Sequence, residues 1–226
     1  PRNSSSAASD VYKRQVIKRT GHVPPADPPI MDGPFNLAPL CKQLPENAIW
    51  HVSPLQRTVE TAELMKQDLK PARVSPAAEL VEMDHGSWHD RPVAEVWNEI
   101  KDGPLHNWTF LAANHVPPQG ESFAMLAGRV RDWMKGIEAG FDPAPRIVIT
   151  HAGVIRAAMS VALRAPLDHV VGIPVPHFGI LRLTLMEPSR ADAQGGCWLF
   201  EGLTDPGVVT ALSLIHISEP TRLASI

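Results

Sequence analysis

The chain has 226 residues, 44% hydrophobic and 20% charged, enough to bury one sizeable core in a single domain. A formal net charge of -3 and a pI of about 6.4 exclude the basic surface that wholesale binding to nucleic acid or an anionic membrane requires, so any phosphate must be recognised by a few local positive groups. Cys41 and Cys197 form no C-x-x-C pair, which excludes a disulfide framework and a Cys-based metal site and suits a reducing, cytoplasmic setting, and no apolar run approaches the roughly 20 residues of a membrane span.

Residues 1–15 are polar, Ser-rich and aperiodic, and with residues 212–226 they resemble translated sequencing-adapter read-through, an artefact of metagenomic assemblies. They are expected to be artefactual or disordered tails around one domain at 16–211. Residues 16–18 make a candidate first strand. Residues 21–40 hold six prolines and read as a long loop, a length that in compact domains is often functional. Residues 48–52 (AIWHV) predict a strand, 54–69 a helix and 73–74 a short strand, followed by a variable region rich in Trp, Pro and His at 82–118. A helix over 122–139, a strand around Ile147, a helix over 153–163 and an alternating strand over 179–185 come next, the last paired with 196–201 as a hairpin. Short apolar strands alternating with helices are the pattern of an α/β domain.

Three segments carry chemistry. The run RIVITHAG at 146–153 is β-branched, ends in His151 and breaks at Gly153, which places His151 at the carboxyl end of a buried parallel strand, the edge where open α/β sheets bind ligands. Alone, it equally suits a satisfied core or surface histidine. In SPLQRT at 53–58, Ser53 is the expected helix cap, Pro54 the first helical residue and Gln56 the partner in a capping box. A helix start favours an anion, and Arg57 in its first turn can add a charge-assisted hydrogen bond to a phosphate oxygen, although an ordinary surface arginine would look the same.

In LVEMDHGSW at 80–88, a carboxyl beside an apolar group such as Trp88 can hold its proton toward neutral pH and donate it; a solvated acidic loop is the competing reading. Glu121 and Ser122 read as caps of the next helix. His85 and His89 stand four apart, but across a glycine-containing loop rather than on one helix face, so no zinc site is expected.

In this order, the segments resemble the histidine phosphatase superfamily, also called phosphoglycerate mutase-like, in its small bacterial phosphatase branch. The resemblance covers residues 16–200 and rests on four motifs: S-P-L-x-R-T-x-E-T-A at 53–62, E-x-D-x-G-x-W at 82–88, G-E-S at 120–122 and T-H-x-G-x-I-R at 150–156. It implies a three-layer α/β/α sandwich with a mostly parallel central sheet, and a hydrolase that transfers a phosphoryl group from a small phosphorylated substrate to a histidine and then to water. It further implies that Arg19 and Arg57 bind phosphate, that Glu82 protonates the leaving oxygen, and that His151 is the second, phosphate-holding histidine. No metal, cofactor, nucleic acid or membrane is implied, and the oligomeric state stays open.

The chain departs from the family at the nucleophile. Where the resemblance calls for R-H-G, it reads Arg19-Thr20-Gly21, and an unactivated threonine hydroxyl is a poor nucleophile at neutral pH. A catalytically inactive phosphate-ester binding protein, a sequence error, and substitution by His22 are the three explanations. A phosphoglycerate mutase is a further alternative, weighed against by the short 82–118 region, and α-ribazole phosphate is one candidate substrate. His106, His115, Trp97 and Trp108 fall in the variable region, where they suit a role in specificity.

Overall fold

The computed structural model describes residues 21–30, 36–103, 112–187 and 196–208. After a one-turn helix, α1 (Ala38–Cys41), the chain enters strand β1 (Ile49–Val52), crosses through helix α2 (Gln56–Leu69), and returns as β2 (Arg73–Pro76). Two 3-10 turns, Ala78–Leu80 and Gly86–Trp88, lead to α3 (Val93–Ile100) and the long helix α4 (Phe123–Ala139). Strand β3 (Arg146–Ile149), helix α5 (Ala152–Leu163) and the short α6 (Leu167–Val170) follow, and β4 (Ile180–Leu185) with β5 (Trp198–Thr204) closes the described chain.

β1 lies between β2 and β3 and is parallel to both. Alternation decides which face each residue takes: Trp50 and Val52 of β1, with Ile147 and Ile149 of β3, are buried on the side of α1 and α2. α2 meets them with Ala62, Met65 and Leu69, the spacing of one helical stripe. On the other side α4 packs on α5 through Leu126, Val130, Val154 and Ala157, and Trp133 of α4 sets its ring edge-on to His51 of β1. Each large apolar side chain buried this completely contributes about 1.5–3 kcal/mol. The expected three-layer α/β/α arrangement with a parallel sheet is thus present. Pro76 ends β2 on the sheet edge, where a residue without an N–H is tolerated.

The strands at 48–52 and around Ile147 and the helices at 122–139 and 153–163 fall within a residue or two of expectation. The hairpin β4–β5 is antiparallel as expected, with an irregularity between Arg182 and Leu183. The candidate strand at 16–18 and the tails at 1–15 and 212–226 lie outside the described residues. α6 was not anticipated, since one turn after Pro166 is too short to show a period. Among the described residues no helix is long and apolar enough to cross a membrane.

For function, the register is the main consequence of the fold. Val52 of β1 pairs with Ile149 of β3, and the N–H of Ser53 donates to the carbonyl of Ile149 at 3.0 Å. The residues that leave these two strands, Ser53 and His151, therefore emerge side by side at the carboxyl edge of the sheet.

Candidate active site

His151 leaves β3 in an extended conformation and begins α5, and only 7% of it is exposed. Its Nε2 lies 2.8 Å from Oγ of Ser53, a residue with no exposed surface. This corrects the expectation that Ser53 opens a capping box. The residue preceding α2 is Leu55, which is extended, so Pro54 and Leu55 bend the chain before the helix begins at Gln56. The Gln56 side chain turns instead to Glu60 Oε1 at 2.8 Å. Thr58 secures the bend, its hydroxyl donating to the carbonyls of Ser53 and Leu55.

Glu82 reaches the same edge from the segment after β2. Its Oε2 accepts the N–H of Gly153 in the first turn of α5 at 3.3 Å, and its Oε1 accepts the N–H of Met83 at 3.0 Å. A Cβ at position 153 would lie 2.2 Å from Oε1, so glycine is required there for the carboxylate to sit where it does. Thr150 ties the strand end to this segment by donating its hydroxyl to the carbonyl of Leu80 at 2.8 Å.

Behind Glu82 the E-x-D-x-G-x-W and G-E-S segments form two sides of one clasp. Arg129 of α4 donates to the carbonyls of Glu79 and Glu82 and forks onto both carboxylate oxygens of Glu121. The N–H of Glu121 donates to the carbonyl of Asp84 at 2.9 Å, and the N–H of Asp84 returns to Glu121 Oε1 at 3.3 Å. Gly86 has a φ of +53, and a Cβ there would lie 2.2 Å from the carbonyl oxygen of Pro118. Ser122 caps α4 as expected, accepting the N–H of Met125 at 3.2 Å, whereas Glu121 is the partner of Arg129 and not a cap.

Arg57 projects from the first turn of α2. Its Nη1 is buried, has no hydrogen-bond partner among the described residues, and stands 3.8 Å from Oδ1 of Asp27. That oxygen accepts the N–H of Gln56 at 2.7 Å, and the N–H of Ile30 donates to Glu60 at 2.6 Å, so the proline-rich segment lies across the start of α2.

The charges around His151 locate the site. Burial pushes its pKa down to about 4; the negative charge of Glu82 opposes that shift, while Arg57 and Arg129 add to it. Its ring is therefore neutral near pH 7, inside a ring of fixed charges. Arg57 and Glu82, two residues of the motifs, lie near enough to His151 for their charges to act on it. Arg19 and Thr20 lie outside the described residues, as do His106 and Trp108.

His22 is exposed and bridges to Pro92, where the 21–23 segment is fastened by hydrogen bonds to Arg91 and Val93. His89 donates Nδ1–H to the carbonyl of Pro24 at 2.8 Å, and its Nε2 lies 3.0 Å from Asp84. A bond from the Gly86 N–H chiefly, helped by His89, holds the Asp84 carboxyl below its usual range. Trp88 is buried with Val23 and Val96, stacks on His115 and donates Nε1–H to Glu99, while Trp97 is exposed on α3. Ser53, Gly153, Arg129 and Asp27 were not singled out by sequence as parts of the site. Ser53 and Gly153 stood inside two of the motifs; Arg129 and Asp27 become visible only through long-range packing.

Comparison with known proteins agrees with this fold. Over 113 residues the chain is 34% identical to the bifunctional protein Rv2228c of Mycobacterium tuberculosis, a match that covers 50% of this chain and only 30% of that relative's length. A protein of Proteus mirabilis named as a phosphoglycerate mutase, GpmB, is 28% identical over 176 residues, 75% of each chain. Among solved structures, one from Escherichia coli named as an alpha-ribazole-5'-P phosphatase matches with a TM-score of 0.65 at 19% identity, over 85% of this chain and 93% of that one. The mycobacterial glucosyl-3-phosphoglycerate phosphatase Rv2419c matches with a TM-score of 0.59 at 19% identity, over 72% and 78%. The profile of the histidine phosphatase superfamily, branch 1, matches residues 36–191, and the chain belongs to that superfamily.

Proposed function

We propose that this chain is a phosphomonoester hydrolase scaffold for a small phosphorylated metabolite, with the phosphoryl-holding half of its site intact and Thr20 at the position of the nucleophile. The observation that carries this reading is the convergence of Arg57, His151 and Glu82 on one sheet edge, with a buried Arg57 Nη1 that makes no hydrogen bond among the described residues, Asp27 Oδ1 standing 3.8 Å away. An unsatisfied buried donor is costly, and a phosphoryl oxygen is the acceptor that a guanidinium fork suits best.

In this reading Arg57, with Arg19, neutralises the phosphoryl oxygens, and His151 donates an N–H to them. The nucleophile at position 20 takes the phosphoryl group as the ester P–O bond breaks, and Glu82 gives its proton to the leaving oxygen. Water then attacks the phosphoryl–enzyme bond, Glu82 takes the proton back, and inorganic phosphate leaves. A histidine at position 20 would complete this cycle; a threonine hydroxyl without an adjacent base is a weak nucleophile.

Thr20 itself favours a second reading, in which the chain as written binds phosphate esters without turning them over. The likeness to GpmB supports a mutase, while the short 82–118 segment weighs toward a hydrolase. A screen of phosphorylated metabolites against the parent and Thr20→His separates these. Turnover by Thr20→His alone supports a phosphatase disabled at one residue. Equal turnover by both points to another nucleophile, and silence from both with retained binding supports the binding protein.

A further inference from the structure

We propose that Ser53 is a positioning residue that fixes His151 as its Nδ1–H tautomer, so that this histidine presents an N–H rather than a lone pair to a phosphoryl oxygen. The ligand in this statement rests on the phosphate-ester reading; the tautomer is a property of the free protein.

The protons of this closed space can be counted. Ser53 has no exposed surface, so its hydroxyl must find partners inside the chain. Among the described residues Oγ has two polar neighbours, the N–H of Leu55 at 3.4 Å and Nε2 of His151 at 2.8 Å. The amide can only donate. The hydroxyl proton therefore goes to Nε2, which must carry a lone pair, and a neutral imidazole with an unprotonated Nε2 has its hydrogen on Nδ1.

The ring stays neutral over the working range because burial and the guanidinium charges of Arg57 and Arg129 disfavour a second proton. The backbone makes the arrangement rigid: the N–H of Ser53 is bonded to Ile149 and its carbonyl to Thr58, while His151 heads α5. A fixed N–H donor costs no reorganisation when charge accumulates on the phosphoryl group. Had the ring taken the opposite tautomer, Nδ1 would offer a ligand a lone pair and no proton.

The test uses the full chain labelled with 15N-histidine, the His151 resonances being assigned by their loss in His151→Gln. Expected in the parent is a protonated Nδ1 and an unprotonated Nε2, and in Ser53→Ala a shift toward Nε2–H with roughly tenfold weaker response to inorganic phosphate. Ser53→Thr, which keeps the hydroxyl, should retain the parent signature. A protonated Nε2 in the parent overturns the proposal without any variant having to fold, as does a Ser53→Ala protein with an unchanged tautomer. Should the His151 resonances ignore phosphate while the tautomer is as expected, the phosphate-ester reading fails and the role of Ser53 in setting the tautomer stands.

Discussion

The carboxylate of Glu82 occupies the space in which a side chain at position 153 would begin: a Cβ on Gly153 would lie 2.2 Å from its Oε1. A motif glycine in the first turn of a helix is thereby explained by its neighbour and not by its backbone, since this position needs no left-handed conformation.

The pair predicts a change of sign. Gly153→Ala should push the Glu82 carboxylate, the far end of a flexible side chain, off the N–H groups of Gly153 and Met83, for a cost of about 1 kcal/mol in the parent. In a Glu82→Ala background the same substitution should be neutral or stabilising by about 0.5–1 kcal/mol, the helix preference of alanine over glycine. Urea unfolding of the four proteins of this double-mutant cycle measures it.

Arg129 should prove hard to replace. It serves two carbonyls and both oxygens of Glu121, and its side chain is 21% exposed against 16% for its partner. Arg129→Lys loses the fork and leaves acceptors under-satisfied, for an expected cost of about 2 kcal/mol in thermal or urea unfolding. Glu121→Gln, which keeps an acceptor for Arg129, should cost less.

Asp27 places a carboxylate at the start of α2 and near Arg57, where an anionic ligand would compete with it. Asp27→Asn keeps an oxygen for the Gln56 N–H and removes the charge. Affinity for inorganic phosphate, measured by calorimetric titration, should rise roughly two- to fivefold, the size of one helix-terminus charge effect. Unchanged or weaker binding would show that Asp27 does not oppose the ligand.

Much of this architecture was legible in the sequence. The apolar runs at 48–52 and around Ile147 announced strands, and the start signals at 53–56 announced the helix predicted over 54–69. Arg57, Glu82 and His151 stood out through the motifs of the family resemblance; read alone, they suited a surface arginine, a solvated acidic loop and a satisfied histidine as well. Ser53 was misread because a serine before a proline satisfies local capping rules, while its actual partner lies 98 residues away. Only the strand register, Val52 against Ile149, brings the two together. Glu121 was misread for the same reason, since its place just before α4 suits a cap, whereas its carboxylate accepts from Arg129, which also donates to the carbonyl of Glu82.

Acid should destabilise the protein through its buried histidines. His151 has a folded pKa of about 4 against 6.5 unfolded, so the unfolded chain binds the proton first as the pH falls. Stability is full above pH 6.5, declines below it and levels off near pH 4, a total of about 3 kcal/mol from this residue. His51, lowered by burial and then by Arg146 and Arg73, acts in the same direction. Unfolding free energies between pH 7.5 and 4 should fall, and His151→Gln should flatten the decline.

The central claim is that the phosphoryl-holding half of the site is intact in the chain as it stands, with Thr20 in place. Calorimetric titration of inorganic phosphate into the parent protein tests it most directly. Saturable 1:1 binding, weakened at least roughly tenfold by Arg57→Ala and by His151→Ala, is the predicted result. Absence of binding, or binding indifferent to both substitutions, would contradict it.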